Sequence, residues 1–252
     1  MTTLRIPHHY QGPSGTGQGG WASARFEEAV GRPITIGIRR GIPIETDLEV
    51  IETDHGWELR DGLETILTGV ERTEPFIDTD PVDISTAAAA RTRFPAGASN
   101  AHPAPDCFSC GPSARSMGVH AGPLSDGSGR FAVDWVVPEQ RTPDGQLDEG
   151  VLWAALDCTT AWYVAYSLEP RPAFTVAYSC EITAPLRPGD TYALVAWNGD
   201  HPTAWDGRKR GGAAAAFAAD GTCVARSRSF WVAVPDPVGE PSPEHAVTAP
   251  DD

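Results

Sequence analysis

Residues 149–166 read EGVLWAALDCTTAWYVAY, the longest apolar run in the chain, broken near its middle by one acid, Asp157. A helix that is hydrophobic on every side belongs inside a protein rather than on its surface. The segments after it alternate apolar and polar residues as half-buried strands do. They are FTVAYSCEITAPLRPGD, TYALVAWNGD and GGAAAAFAADGTCVARSRSFWVAV, the last folded about an Asp220-Gly221 turn. Ahead of the run, GVHAGPL and RFAVDWVVP read as two more strands separated by SDGSG. One buried helix wrapped by an antiparallel sheet is an α+β arrangement. An acid inside such a helix costs several kcal/mol to bury unpaired, so Asp157 is expected to face a cleft or a partner.

The same plan is written a second time, more faintly, nearer the N-terminus. After a possible short strand at Leu4–Ile6, the glycine-rich GPSGTGQGG leads into WASARFEEAVG, read as a helix closed by Gly31. PITIGIRR, LEVIETD, WELRD and ETILTGVER then follow as four strands with hairpin-length turns between them. The two helices align as QGGWASARFEEAVG on DEGVLWAALDCTTA, which sets Glu27 opposite Asp157. After each helix a strand ends in a proline-containing break before an acid, TIGIRRGIPIETD in one half and AYSCEITAPLRPGD in the other. Helix plus four strands occurring twice predicts a tandem duplication. Each unit alone would leave an apolar helix flank and a sheet edge bare, and side by side they cover these as an intramolecular pseudo-dimer. The expected division is an N-terminal unit over 1–73, a proline-rich linker with a short helix at 85–92 over 74–106, a C-terminal unit over 107–235, and a polar, disordered tail over 236–252.

The bulk properties narrow the function. Thirty-four acids against nineteen bases give a net charge of −15, which argues against nucleic acid or an anionic membrane as partner. Asp157 interrupts the longest apolar run, so no segment reaches membrane-spanning length, and MTTLRIPHHYQG lacks a signal-like apolar core. Five cysteines in a chain of 252 residues do not form a secreted disulfide framework, so the expected setting is the cytoplasm with reduced thiols. Cys107-x-x-Cys110, with His102 and His120 near it, has metal-ligand spacing on one side, but no second Cys-x-x-Cys completes a site. No metal and no other cofactor is expected.

In both halves an acid stands seven residues after a glycine, Gly20 to Glu27 and Gly150 to Asp157. Seven residues turn a helix by roughly 700°, so the acid lies nearly beneath that glycine, about two turns along. A glycine at a helix N-terminus offers free N–H groups and the positive end of the helix dipole. On these residues the chain resembles the hotdog-fold acyl-CoA thioesterases. Gln18-Gly19-Gly20 resembles the glycine turn that opens their helix, and the spacing to the acid is similar to theirs. CFSCGPSARSMGV is similar to the Cys-Phe-x-Cys-Gly-Pro opening that precedes many such units. The resemblance covers about 4–73 and 107–234 and implies a double hotdog.

It implies a site between paired helices. Gly19 N–H would polarise a thioester carbonyl, and Asp157 would attack it or activate water. Gln18 and Gly20 would orient substrate, Thr160 would hydrogen-bond the acid or a water, and Trp153 would line an acyl pocket. A mirror site would pair the Glu149-Gly150 turn with Glu27, although Glu149 would oppose negative charge developing there. Neither half keeps the family's histidine. The implied substrate is an acyl-CoA or acyl-carrier thioester, bound by a monomeric pseudo-dimer or a homodimer of double hotdogs. A non-catalytic acyl-CoA- or lipid-binding protein is the alternative, ahead of a hydratase, which would need a site histidine.

Overall fold

The computed structural model describes residues 2–13, 15–96, 102–139 and 148–234; the expected tail at 236–252 lies outside them. Eleven strands form one sheet. The N-terminal half supplies β1 (Thr2–Arg5), β2 (Ile34–Ile38), β3 (Asp47–Thr53), β4 (Gly56–Asp61) and β5 (Glu64–Glu71). The C-terminal half supplies β6 (Gly122–Pro123), β7 (Phe131–Val136), β8 (Ala173–Ile182), β9 (Thr191–Trp197), β10 (Lys209–Phe217) and β11 (Cys223–Ala233). Their order is β1-β3-β4-β5-β2-β8-β11-β10-β9-β7-β6, with every pairing antiparallel. Read outward from the middle, each half repeats one sequence of strands: β2, β5, β4, β3, β1 on one side and β8, β11, β10, β9, β7 on the other. That is the duplicated unit, and the halves join where β2 meets β8 through Ile36↔Tyr178 and Gly37↔Ala177. GVHAGPL is the strand that fell short, since only Gly122 and Pro123 pair within it.

Two helices lie side by side on one face of the sheet. α1 (Gly19–Val30) is capped by Gln18, whose Oε1 accepts from Trp21 N at 2.7 Å, and it ends at Gly31 in the left-handed conformation. α3 (Gly150–Tyr166) buries fourteen of its 17 residues, as its unbroken apolar character requires. α1 and α3 cross closely at Gly20. A Cβ there would stand 2.6 Å from Trp153 O and 2.8 Å from Asp157 Cβ. Neither atom sits on a free side-chain end that can swing away. Gly20→Ala is therefore expected to cost about 1–3 kcal/mol in urea unfolding by prising the helices apart.

The short helix expected at 85–92 is α2 (Ile84–Arg91), capped by Asp83. It covers the opposite face of the sheet, where Val82, Ala87 and Ala90 join a second core with Ala193, Val195 and Phe217. This explains the alanine run in β10: Ala213 and Ala215 face α2 while Ala214 and Ala216 face the main core. No helix among the described residues is long and apolar enough to cross a membrane.

Candidate active site

The α1–α3 crossing brings the head of one half's helix onto the acid of the other. Asp157 is 4% exposed, yet both its oxygens are engaged. Oδ2 accepts from Gln18 Nε2 at 2.7 Å and from Gly20 N at 3.2 Å, and Oδ1 accepts from Thr175 Oγ1 at 2.8 Å. Gln18 thus caps α1 with its oxygen and clamps the acid with its nitrogen. Burial raises the Asp157 carboxyl to about 7, against the opposing pull of the Thr175, Gly20 and Gln18 donors.

Of the residues expected at the site, Gln18, Gly19, Gly20 and Asp157 meet. Gly19 lies against the acid; a Cβ on it would be 3.5 Å from Asp157 Oδ2 and 3.2 Å from Ile38 Cδ1. The N–H on the acid belongs to Gly20, whereas Gly19 N–H has no partner among the described residues. Thr160 does not reach Asp157. Its hydroxyl turns back to Leu156 O at 2.9 Å, as a buried helical threonine commonly does, and its methyl packs on Gly212 of β10. Trp153 is buried in the core, edge-on to Tyr178, whose hydroxyl donates to Trp153 O at 2.8 Å.

Thr175 is the residue that sequence reasoning missed. It stands on β8 two positions beyond the last β2–β8 pair, where the two strands part. Thr175, Ile38 and Gly19, all beside the acid, are each half-buried. Thr175→Val keeps the shape, leaves Oδ1 without its donor and pushes the carboxyl higher still. An Asp157 titration moved upward, followed by carboxyl 13C NMR, is the expected result of losing one charge-assisted bond.

The mirror position is built differently. Gln18 and Asp148 occupy equivalent places, as do Glu27 and Asp157, each pair 130 positions apart (148 − 18 and 157 − 27). Asp148 cannot donate to a carboxylate as Gln18 does. Instead it accepts from Gly150 N at 2.9 Å, from Tyr10 Oη at 2.7 Å and from Trp21 Nε1 at 2.9 Å, and pairs with Arg25 at 3.2 Å. The pseudo-twofold that interchanges Ile36↔Tyr178 with Gly37↔Ala177 sets Ile34 at the position of Thr175. Lacking a hydroxyl there, Glu27 takes Ile34 N at 2.9 Å, and burial raises its carboxyl. Glu149, expected to crowd the second glycine turn, points into solvent without capping α3. The acid on that turn is Asp148, one residue earlier.

An antiparallel sheet folded around a central helix, twice in one chain and continuous across the join, is a double hotdog. Solved structures with this fold match nearly the full chain. A conserved protein of unknown function with a hot dog fold from Alicyclobacillus acidocaldarius is 15% identical, with 93% of each chain covered and a TM-score of 0.59. The tesB protein of Mycobacterium avium subspecies paratuberculosis is 14% identical, with 92% of each chain covered and a TM-score of 0.55. A Novosphingobium aromaticivorans protein provisionally named a thioesterase is 14% identical, covering 92% of this chain and 95% of its own, with a TM-score of 0.53. At these identities the likeness is one of fold. No family model and no curated protein matches the sequence.

Proposed function

We propose that this protein is a thioester hydrolase, acting on an acyl group carried by coenzyme A or an acyl carrier, with Asp157 as general base. The observation that carries the reading is one buried carboxylate held by donors from both halves of the chain, beside the Gly19 N–H at a helix head, which has no partner among the described residues. The double-hotdog fold, shared with a protein named a thioesterase, agrees with it. A carboxyl raised to about 7 suits a base working near neutral pH.

A water on Asp157 Oδ1 and Thr175 Oγ1 attacks the thioester carbonyl carbon as its proton passes to Asp157. Gly19 N–H and the positive end of α1 take up the oxyanion. Collapse breaks the C–S bond, and the leaving thiolate recovers the proton from Asp157. Carboxylic acid and thiol depart, and the carboxylate is restored. Direct attack by Asp157 fits less well, because Oδ2 is already committed to Gln18 and Gly20. Water activation leaves those bonds intact.

The test is free-thiol release from a panel of acyl-CoA thioesters of varied chain length, measured for the wild type, Asp157→Asn and Glu27→Gln. Release by the wild type and Glu27→Gln, and its loss in Asp157→Asn, is expected. Tight acyl-CoA binding by the wild type without turnover would assign the chain to non-catalytic binding instead.

A further inference from the structure

The loop that precedes the C-terminal unit packs its two cysteines against α3 at the residue beside Asp157. Cys107, Cys110 and Cys158 are each about 95% buried, and their sulfurs all lie within 4.8 Å of one another. Cys107 Sγ and Cys158 Sγ are 3.8 Å apart. Metal–sulfur bonds of about 2.3 Å imply sulfur separations of roughly 3.8 Å around a tetrahedral centre and roughly 4.0 Å around a trigonal one. Single buried cysteines behave as small hydrophobes. Three thiols converging from a loop and a helix 48 positions apart (158 − 110) form a soft donor set.

The surroundings hold the thiols in place. Gln18 Nε2 is 3.7 Å from Cys158 sulfur. The turn is tight: Gly111 N donates to Cys107 O at 2.8 Å, and a Cβ on Gly111 would lie 2.5 Å from that oxygen. Ser109 Oγ donates to Ala154 O at 3.1 Å, fixing the turn on α3 one helical turn before Cys158. His102 and His120 do not complete the set; their Nε2 atoms face Cys110 O at 2.8 and 3.1 Å and brace the loop.

We propose that Cys107, Cys110 and Cys158 bind one thiophilic d10 cation, Zn2+ or Cu+, through three thiolates. The three protons pass to solvent as three sulfur–metal bonds form. The sequence supplied two of the three ligands, because the third lies within an apolar helix and belongs to no Cys-x-x-Cys pair. A bound ion would tie the loop to α3 at the neighbour of the proposed base.

The test uses the full-length chain, reduced, stripped with EDTA and desalted under nitrogen. It is titrated in separate arms with Zn2+ and Cu+, and with Co2+ as a spectroscopic substitute for Zn2+. One ion retained per chain in either cation arm is expected, and that arm identifies the metal; for Zn2+, a near-ultraviolet thiolate-to-cobalt band accompanies it. Cys107→Ser and Cys158→Ala should each weaken binding at least 100-fold on the order of a lost metal ligand, and Cys223→Ser should leave it unchanged. Substoichiometric uptake in both cation arms overturns the proposal, as does uptake that Cys107→Ser and Cys158→Ala leave intact. A Cys107–Cys158 disulfide in protein that takes up neither cation once reduced also overturns it. Should either variant fail to fold, the wild-type stoichiometry decides.

Discussion

Asp157→Asn is expected to fold, to be more stable than the wild type above neutral pH, and to lose the proposed thioester hydrolysis by about three orders of magnitude. Burial lifts this carboxyl from 3.8 to about 7 in the folded protein. The unfolded chain therefore gives up the proton first. Stability contributed by this group is greatest below pH 4, falls as pH rises from about 4 to 7, and then levels off about 4 kcal/mol lower. Asparagine avoids the ionisation. Its oxygen still accepts from Gln18 and Gly20, and its nitrogen donates to Thr175. A gain of about 2–4 kcal/mol at pH 8, shrinking towards nothing at pH 4, is the expected outcome of urea unfolding at the two pH values. The activity loss follows because an amide cannot take a proton from water. Equal stability of the two proteins at pH 8 would mean that the carboxylate is better solvated than its burial implies.

Asp148→Ala is expected to cost about 3–5 kcal/mol, among the largest single-residue losses this chain can show. Asp148 is 1% exposed and gathers Tyr10 Oη, Trp21 Nε1, Gly150 N and the Arg25 guanidinium. It is also the negative charge at the head of α3. Alanine would leave Tyr10 Oη, Trp21 Nε1 and Gly150 N without their acceptor and leave the Arg25 guanidinium with Glu28 alone. Asp148→Asn keeps the acceptor oxygen and should recover about half of the loss. Urea unfolding of both variants measures this. A loss under 1 kcal/mol for alanine would show that water satisfies these donors without the carboxylate.

The repeat was legible because its parts are local. An eighteen-residue apolar run, alternating strands and glycine turns each announce themselves within a short window, and their order occurs twice. Asp157, Gly19, Gly20 and Gln18 were legible for the same reason, lying on or beside helix heads at fixed spacing. The rest depends on the join between halves. Thr175 meets Asp157 only because β2 and β8 stop pairing at Gly37 and Ala177, a register that one strand alone does not reveal. Thr160 drew attention by helical spacing, but its hydroxyl satisfied the helix's own backbone instead. Glu149 and Asp148 adjoin at a helix start, and which of them turns inward is decided by Tyr10, Trp21 and Arg25, more than 120 positions earlier (148 − 25 = 123). At the mirror position Glu27 accepts from Ile34 N, and Asp148 stands where Gln18 does in the first half, a difference set by the facing strand and loop.

The central claim is that a carboxylate from one half, held at the helix head of the other, activates water against a thioester. Free-thiol release from a turned-over acyl-CoA, followed from pH 5 to 9 in the wild type and in Asp157→Asn, tests it most directly. The account predicts that wild-type kcat/KM climbs tenfold per pH unit on the acid side, bends near pH 7 and then holds level, while Asp157→Asn stays near the uncatalysed rate throughout. Thiol release by Asp157→Asn at the wild-type rate, with the same bend, would contradict it.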